Sequence, residues 1–215
     1  MKEKTVIAIT GGSGSGKTSV LHAIRSRFKP GQVCIISQDE YYQARTEQKA
    51  DQHGYLNFDV PGALDLETFE QDILKLIDDQ SVQRPVYLFN NEVEVNEVLI
   101  YKPAPVLVVE GLFLYARPSL VKMIDYSIYM HAKEDLKLIR RIKRDINERN
   151  YTLDEILHRY QNHVMPAYAT YIRHLRERVD LVINNNEDYL KGLEILTAFI
   201  AAKIPPDRTV SHELS

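Results

Sequence analysis

Residues 11–18 read Gly-Gly-Ser-Gly-Ser-Gly-Lys-Thr and follow directly on Thr5 to Thr10, a short β-branched apolar run (TVIAIT). The spacing is G-x-x-x-x-G-K-[ST]. Glycines let such a loop curl so that its backbone N–H groups point inward, where phosphate oxygens can accept from them. A helix opening at Lys17 adds the partial positive charge of its N-terminus. The lysine reaches the β- and γ-phosphates, and the hydroxyl after it is placed to ligate Mg²⁺. The expected phosphate-contacting set is Gly11, Gly12, Ser13, Gly14, Ser15, Gly16, Lys17, Thr18 and Ser19, with Thr18 also a metal ligand. An apolar β-branched run of this length suits a strand buried on both faces of a parallel sheet.

The rest of the chain keeps alternating strand and helix. Lys17 to Phe28 reads as a helix stopped by Pro30-Gly31. Gln32 to Ser37, Pro105 to Val109, Tyr126 to Met130 and Asp180 to Ile183 read as further buried strands. Leu64 to Asp79 is an amphipathic helix with Leu66, Phe69, Ile73, Leu76 and Ile77 on one stripe. Lys133 to Arg149 reads as a helix with Ile139, Ile142 and Ile146 inward and arginines on the other faces. A helix from Leu153 into Val179 should bend near Pro166, and Asp188 to Ala202 is the last helix. Thr46 to Tyr55 is polar without periodicity, the pattern of a mobile loop, while Val82 to Tyr101 has the two-residue period of a β-hairpin.

This pattern implies an α/β P-loop NTPase fold, a doubly wound and mostly parallel sheet, with ligands at the carboxyl ends of the strands. The expected organisation is a single domain over 1–203. It contains a hairpin insertion on the substrate side at 82–101 and a helical lid at 133–152, and a flexible tail follows over 204–215.

Composition narrows the partners. The 27 Lys and Arg against 30 Asp and Glu leave a net charge of −3 and a pI near 6.2, with no electrostatic footprint for nucleic acid or a membrane surface. No apolar run approaches the roughly 18 residues of a membrane span. The apolar run ending at Thr10 is too short for a signal-peptide core, so a soluble cytoplasmic protein is expected. The one cysteine, Cys34, excludes an intrachain disulfide and reads as a small buried hydrophobe. The seven histidines show no zinc-like spacing supported by cysteines, and none is assigned to a metal.

The chain has no Asn-Lys dipeptide, so the Asn-Lys-x-Asp motif that reads guanine is absent. The third buried strand ends in Glu110-Gly111, where a phosphate-loop protein places a second acidic group to order Mg²⁺. Asp39 follows the second strand. It is either a turn residue or a base that takes the proton of an attacking hydroxyl. Tyr41, Tyr42, Tyr55, Asn57, Phe58 and Asp59 lie close by in sequence, suiting a small acceptor with a flat ring and hydroxyls. Arg140, Arg141, Lys143, Arg144 and Arg149 form either a solvated face, with an Asp145–Arg149 pair, or a lid that brings guanidinium groups over a transferring phosphoryl.

Taken together, the blocks ITGGSGSGKTSV (Ile9 to Val20), ISQDEYY (Ile36 to Tyr42), NFDVPGAL (Asn57 to Leu64), VVEG (Val108 to Gly111) and RRIKRDINER (Arg140 to Arg149) resemble uridine kinases of the phosphoribulokinase/uridine kinase group. The resemblance continues through YQNHVMPAY (Tyr160 to Tyr168) and spans about Lys4 to Asn186. It implies transfer of a phosphoryl group from ATP with Mg²⁺ to the 5′-hydroxyl of a ribonucleoside. Asp39 would be the general base, Glu110 would hold Mg²⁺ with Thr18, and Lys17 and Arg144 would neutralise the phosphoryl. Tyr42, Phe58 and Asp59 match nucleoside-pocket positions, and Arg141 and Arg149 match lid arginines that touch substrate. Tyr87 and Phe89 fall in the hairpin that closes over the base. A homo-oligomer is also implied.

The departures bear on the acceptor. The hairpin reads Tyr87-Leu88-Phe89-Asn90-Asn91-Glu92, with Glu92 where those kinases carry a base-reading histidine. Gly111 to Tyr115, Pro118 to Val121 and Arg149-Asn150-Tyr151-Thr152 look more like nicotinamide riboside kinases, and Glu92 would suit a cationic ring. A kinase for another small hydroxyl compound keeps the same mechanism. A non-catalytic nucleotide-binding regulator would not need Asp39.

Overall fold

The apolar runs form strands that alternate with helices, and the computed structural model describes residues 4–87 and 97–206. In chain order the strands are β1 (Thr5–Thr10), β2 (Val33–Ser37), β3 (Val82–Pro85), β4 (Val98–Tyr101), β5 (Val106–Glu110), β6 (Tyr126–His131) and β7 (Leu181–Asn184). The α-helices are α1 (Lys17–Arg27), α2 (Leu66–Ile77), α3 (Pro118–Val121), α4 (Glu134–Arg149), α5 (Leu153–Arg159), α6 (Met165–Ala167) and α7 (Leu190–Lys203). Five strands make one parallel sheet in the order β2-β5-β1-β6-β7. This is the doubly wound architecture expected of the sequence.

Alternate side chains of each inner strand enter two different cores. Val6, Ala8, Leu107 and Val109 join one face, where Phe69, Ile73 and Leu76 of α2 cover them. Ile7, Ile9, Val106 and Val108 join the other, packed by Val20, Leu21 and Ile24 of α1 and by Leu193, Leu196 and Ile200 of α7. Each fully buried side chain of this kind contributes about 2 kcal/mol, which is why these runs contain no alternating polar residues. Cys34 is one of them, and burial pushes its thiol up to about 12.

Polar side chains fix the ends of α2. Asp65 Oδ1 accepts from the Thr68 N–H at 3.0 Å, an N-cap bond. At the other end Lys4 Nζ donates to the carbonyls of Leu76 and Ile77 at 2.8 and 3.0 Å, where a cation also complements the helix dipole.

Three segments differ from the sequence reading. On α4, Ile139 and Ile146 are 48 and 43% exposed, whereas Lys137, Arg141 and Asp145 are buried. Two of the three expected inward isoleucines are on the outer face, and Ile142 is half-buried, because the inner face of α4 packs on the phosphate loop and carries charge. The run from Leu153 is not one bent α-helix. Two π turns, Tyr160–Val164 and Tyr168–Ile172, flank α6. Pro166 lacks the N–H that would bond the Asn162 carbonyl, so the ladder widens around it. The polar stretch at 46–55 folds back through an Ala50–Leu56 bridge. Just before that bridge, buried Gln48 donates to the carbonyls of Gln43 and Ala63, both at 3.0 Å.

Strands β3 and β4 pair antiparallel from Val82 opposite Tyr101 to Pro85 opposite Val98, as a small sheet of their own. Residues 88–96 between them, with Phe89 and Glu92, lie outside the described residues, as does the chain beyond 206. Among the described residues, no helix is long and apolar enough to cross a membrane.

Candidate active site

Strand register builds the site. Glu110, at the end of β5, stands opposite Ile9 of β1 and Ser37 of β2. The three carboxyl ends therefore place the phosphate loop, Glu110 and Asp39 around one mouth. They line a cleft of about 320 Å³ with Ser13, Gly14, Gly16, Lys17, Thr18, Ser19, Tyr42, Phe58 and Asp59. The opposite wall holds Arg140, Arg141, Arg144 and Arg149. Gly11, Gly12 and Ser15 are buried behind this surface.

The loop conformation needs its glycines. Gly14 has φ +79°, and a Cβ there would strike the Lys137 carbonyl oxygen. Gly16 has φ +100°, and a Cβ there would strike Asn185 Nδ2. Both the backbone angle and the space exclude a side chain. Gly16 precedes α1 with no side-chain cap, so the first N–H groups of α1 have no intrahelical acceptors and remain available to an anion.

Lys17 Nζ donates to the Gly11 carbonyl at 3.0 Å and lies 3.7 Å from Glu110 Oε1. Ser37 Oγ donates to Glu110 Oε2 at 2.6 Å and accepts from the Asp39 N–H at 3.2 Å. Asp39 is thereby tied to Glu110 through one hydroxyl. Burial pushes Glu110 up to about 7, opposed by the Lys17 charge and reinforced by that of Asp39. Thr18, Asp39 and Glu110 offer the hard oxygen donors that Mg²⁺ requires, so the donor set fits that ion.

Helix α4 closes the arginine wall. Arg141 Nη1 donates to Ser13 Oγ at 3.0 Å and lies 3.7 Å from Asp59 Oδ1. Arg140 Nη2 donates to the Asn185 carbonyl at 3.0 Å, while its Nη1 is buried without a partner among the described residues. Burial pulls Arg149 below the ordinary guanidinium range, and the positive charge of Arg144 adds to this.

The other wall is aromatic. Tyr42 meets Phe58 edge-on at 5.8 Å between ring centroids and packs against Tyr87 at 5.4 Å. Burial, then the charges of Asp39 and Asp59, push the Tyr42 phenol well up. Asp59 is buried, with its N–H donated to Asn57 Oδ1 at 2.9 Å. Tyr87 packs on Tyr42 without being among the residues that line the cleft, and its N–H donates to Glu40 at 3.0 Å.

Comparison with known proteins agrees with this geometry. The model of the phosphoribulokinase/uridine kinase family matches residues 6–190. The chain belongs to that family. A uridine kinase of Oceanobacillus iheyensis is 31% identical over 93% of this chain and 95% of its own length. Another, from Lactococcus lactis subsp. lactis, is 32% identical over 94% of this chain and 98% of its own. Among solved structures, phosphoribulokinase from Rhodobacter spheroides superposes with a TM-score of 0.60 at 17% identity, covering 86% of this chain and 71% of that one. D-glycerate 3-kinase from Cryptococcus neoformans gives 0.59 at 19%, covering 86 and 87%. These two likenesses concern the fold, that of a P-loop phosphotransferase.

Further side chains that the sequence reading did not place beside the loop support the site. Asp145, read as half of a surface pair, is 1% exposed and gathers Arg141, Arg144 and Arg149 at 3.1, 2.8 and 3.6 Å. Asn185 Nδ2 donates to the Ser15 carbonyl at 2.9 Å and so braces the phosphate loop from β7. Lys137 lies under the loop, paired with Glu134 at 2.8 Å and over the Tyr168 ring at 3.6 Å. Arg159 lines the cleft and spans Glu155 and the Leu56 carbonyl. The spacing of Lys137, Arg141 and Asp145, each four residues from the next, was the available signal.

Proposed function

We propose that this chain transfers the γ-phosphoryl group of ATP, with Mg²⁺, to the 5′-hydroxyl of a ribonucleoside, uridine or cytidine. The observation that carries this reading is that Asp39 lines the same cleft as Lys17, Thr18 and Glu110 and is linked to Glu110 through Ser37. The whole-length likeness to uridine kinases supports the choice of acceptor.

In this reading the loop N–H groups and the N-terminus of α1 hold the β- and γ-phosphates, and Lys17 compensates their charge. Thr18 and Glu110 would hold Mg²⁺, which would supply positive charge to offset that of the phosphates. Asp39 accepts the proton of the hydroxyl as it attacks. Arg140, Arg141 and Arg144 approach the transferring group from the far wall, where charge must be stabilised. The Nη1 of Arg140, without a partner among the described residues, is a donor of the kind that role needs. Tyr42 and Phe58 supply apolar faces for the base, and Asp59 and Arg149 reach the ribose.

An ADP-release assay with Mg-ATP and separate acceptors tests the proposal. Uridine or cytidine should sustain turnover that Asp39→Asn lowers by about 10²-fold or more. Turnover with nicotinamide riboside, ribulose 5-phosphate or pantothenate alone would reassign the acceptor. ATP binding without turnover on any of them would argue against phosphoryl transfer to these acceptors.

A further inference from the structure

A second cluster of ligating side chains lies outside the phosphate cleft. His158 Nε2 and His163 Nε2 both lie on Asp51 Oδ2, at 2.7 and 2.9 Å. The aspartate belongs to the folded-back loop, and the two imidazoles belong to the helical run that starts with α5. We propose that Asp51, His158 and His163 bind one divalent transition-metal ion of the zinc class.

Backbone geometry makes the cluster. Residues five apart on an α-helix point about 140° away from each other. His158 and His163 nevertheless converge, because the π turn Tyr160–Val164 carries i→i+5 bonding, which brings residues five apart onto one side. Asp51 is aimed by its own loop. Its Oδ1 accepts from the N–H groups of His53 and Tyr55 at 2.8 and 3.0 Å, which leaves Oδ2 for the imidazoles. Such outer bonds are what orient a metal-binding carboxylate.

With Oδ1 accepting twice, the two imidazoles share Oδ2, and one of them, His163, is only 3% exposed. That histidine keeps its Nδ1 without a partner among the described residues. Replacing the two Nε2 protons by one cation would set the three ligand atoms about 2.0–2.2 Å from it, after they spread by about half an ångström or more. His158 Nδ1 faces the Asn162 amide nitrogen at 3.3 Å. Turning that amide over would accept an Nδ1–H, at the loss of its 2.9 Å bond to the His158 carbonyl.

The donor set selects the ion. Two imidazoles and one carboxylate suit zinc and its neighbours, whereas magnesium and calcium take oxygen ligands. A fourth position opens on a cavity of about 300 Å³ lined by Lys49, Gln52, His53, Asn57 and Asn162. Water can fill it, or His53, whose ring centroid is 5.0 Å from that of His158. Because the loop continues into Phe58 and Asp59 and the helix carries Arg159, the ion would clamp together two elements of the acceptor side.

The full chain, stripped with a chelator, should be titrated with Zn²⁺ alone by calorimetry and with Co²⁺ by visible absorption. One ion per chain is expected, with the d–d bands of a four-coordinate cobalt site and a rise in melting temperature on adding Zn²⁺. His158→Gln and Asp51→Asn should each weaken binding by about tenfold or more and lose that rise, whereas exposed His174→Ala should match the native chain. His158 is a partly exposed side chain, so its variant keeps the test open if Asp51→Asn unfolds. Absence of saturable Zn²⁺ binding by the native chain would overturn the proposal. So would unchanged affinity in both variants.

Discussion

Arg141 Nε lies 3.1 Å from the buried carboxylate of Asp145, and the Nη1 of the same guanidinium donates to Ser13 Oγ at 3.0 Å. Asp145 thus reaches the phosphate loop through a single arginine, while it also holds Arg144 and Arg149. Removing one partner of a buried ion pair leaves uncompensated charge, at a cost of about 3–5 kcal/mol. Asp145→Asn leaves three guanidiniums with less negative charge between them. We expect a clear drop in melting temperature, together with a turnover about tenfold lower or worse under saturating ATP. Equal kcat and unchanged melting would refute the role of Asp145 as their organiser.

Asp39 makes a different demand. Its backbone is fixed by the bond to Ser37, and its side chain lines the cleft across from the loop. Asp39→Asn preserves shape but cannot take a proton. Turnover should fall by about 10²-fold or more with ATP affinity nearly unchanged, as read by single-turnover kinetics and nucleotide titration. A variant that retains near-native turnover rules out the base.

The strands and the loop were legible because their signals are local. A parallel strand buried on both faces, as β5 is, must be uninterrupted in its apolar residues. The loop must place glycines where φ is positive, as at Gly14 and Gly16. Helix α4 was misread because an apolar stripe signals burial only where the neighbour is apolar. Its neighbour here is a phosphate loop, so Lys137, Arg141 and Asp145 turn inward and Ile139 and Ile146 face out. Long-range partners such as Asn185 and Ser15 leave no mark on either segment's pattern. The convergence of His158 and His163 depends on a π register that Pro166 only hints at.

Asn185 offers a test of that long-range support. Its Nδ2 bond to the Ser15 carbonyl spans from β7 to the loop and is buried. Asn185→Ala strands that carbonyl, at a cost of about 1–3 kcal/mol. If the loss is felt by the loop, ATP should bind about tenfold more weakly, and the nucleotide-free protein should melt a few degrees lower. Asn185→Asp should be worse, since it turns a carboxylate toward phosphate. Native ATP affinity in both variants would show that the loop holds its shape unaided.

In the proposed mechanism Glu110 makes metal binding depend on pH. Burial raises its carboxyl from 4.5 to about 7 in the free protein, so below that value it carries a proton that a divalent cation must displace. Apparent Mg²⁺ affinity in the presence of ATP should therefore fall by roughly tenfold per pH unit below about 7 and level off above it. Glu110→Gln should bind Mg²⁺ weakly and lose this slope, because the amide has no proton to release in that range. Calorimetric titrations on either side of neutrality distinguish the outcomes. A native slope that survives Glu110→Gln assigns the titration to another group, whereas a flat native profile means that Glu110 is ionised throughout and its partner Lys17 outweighs its burial.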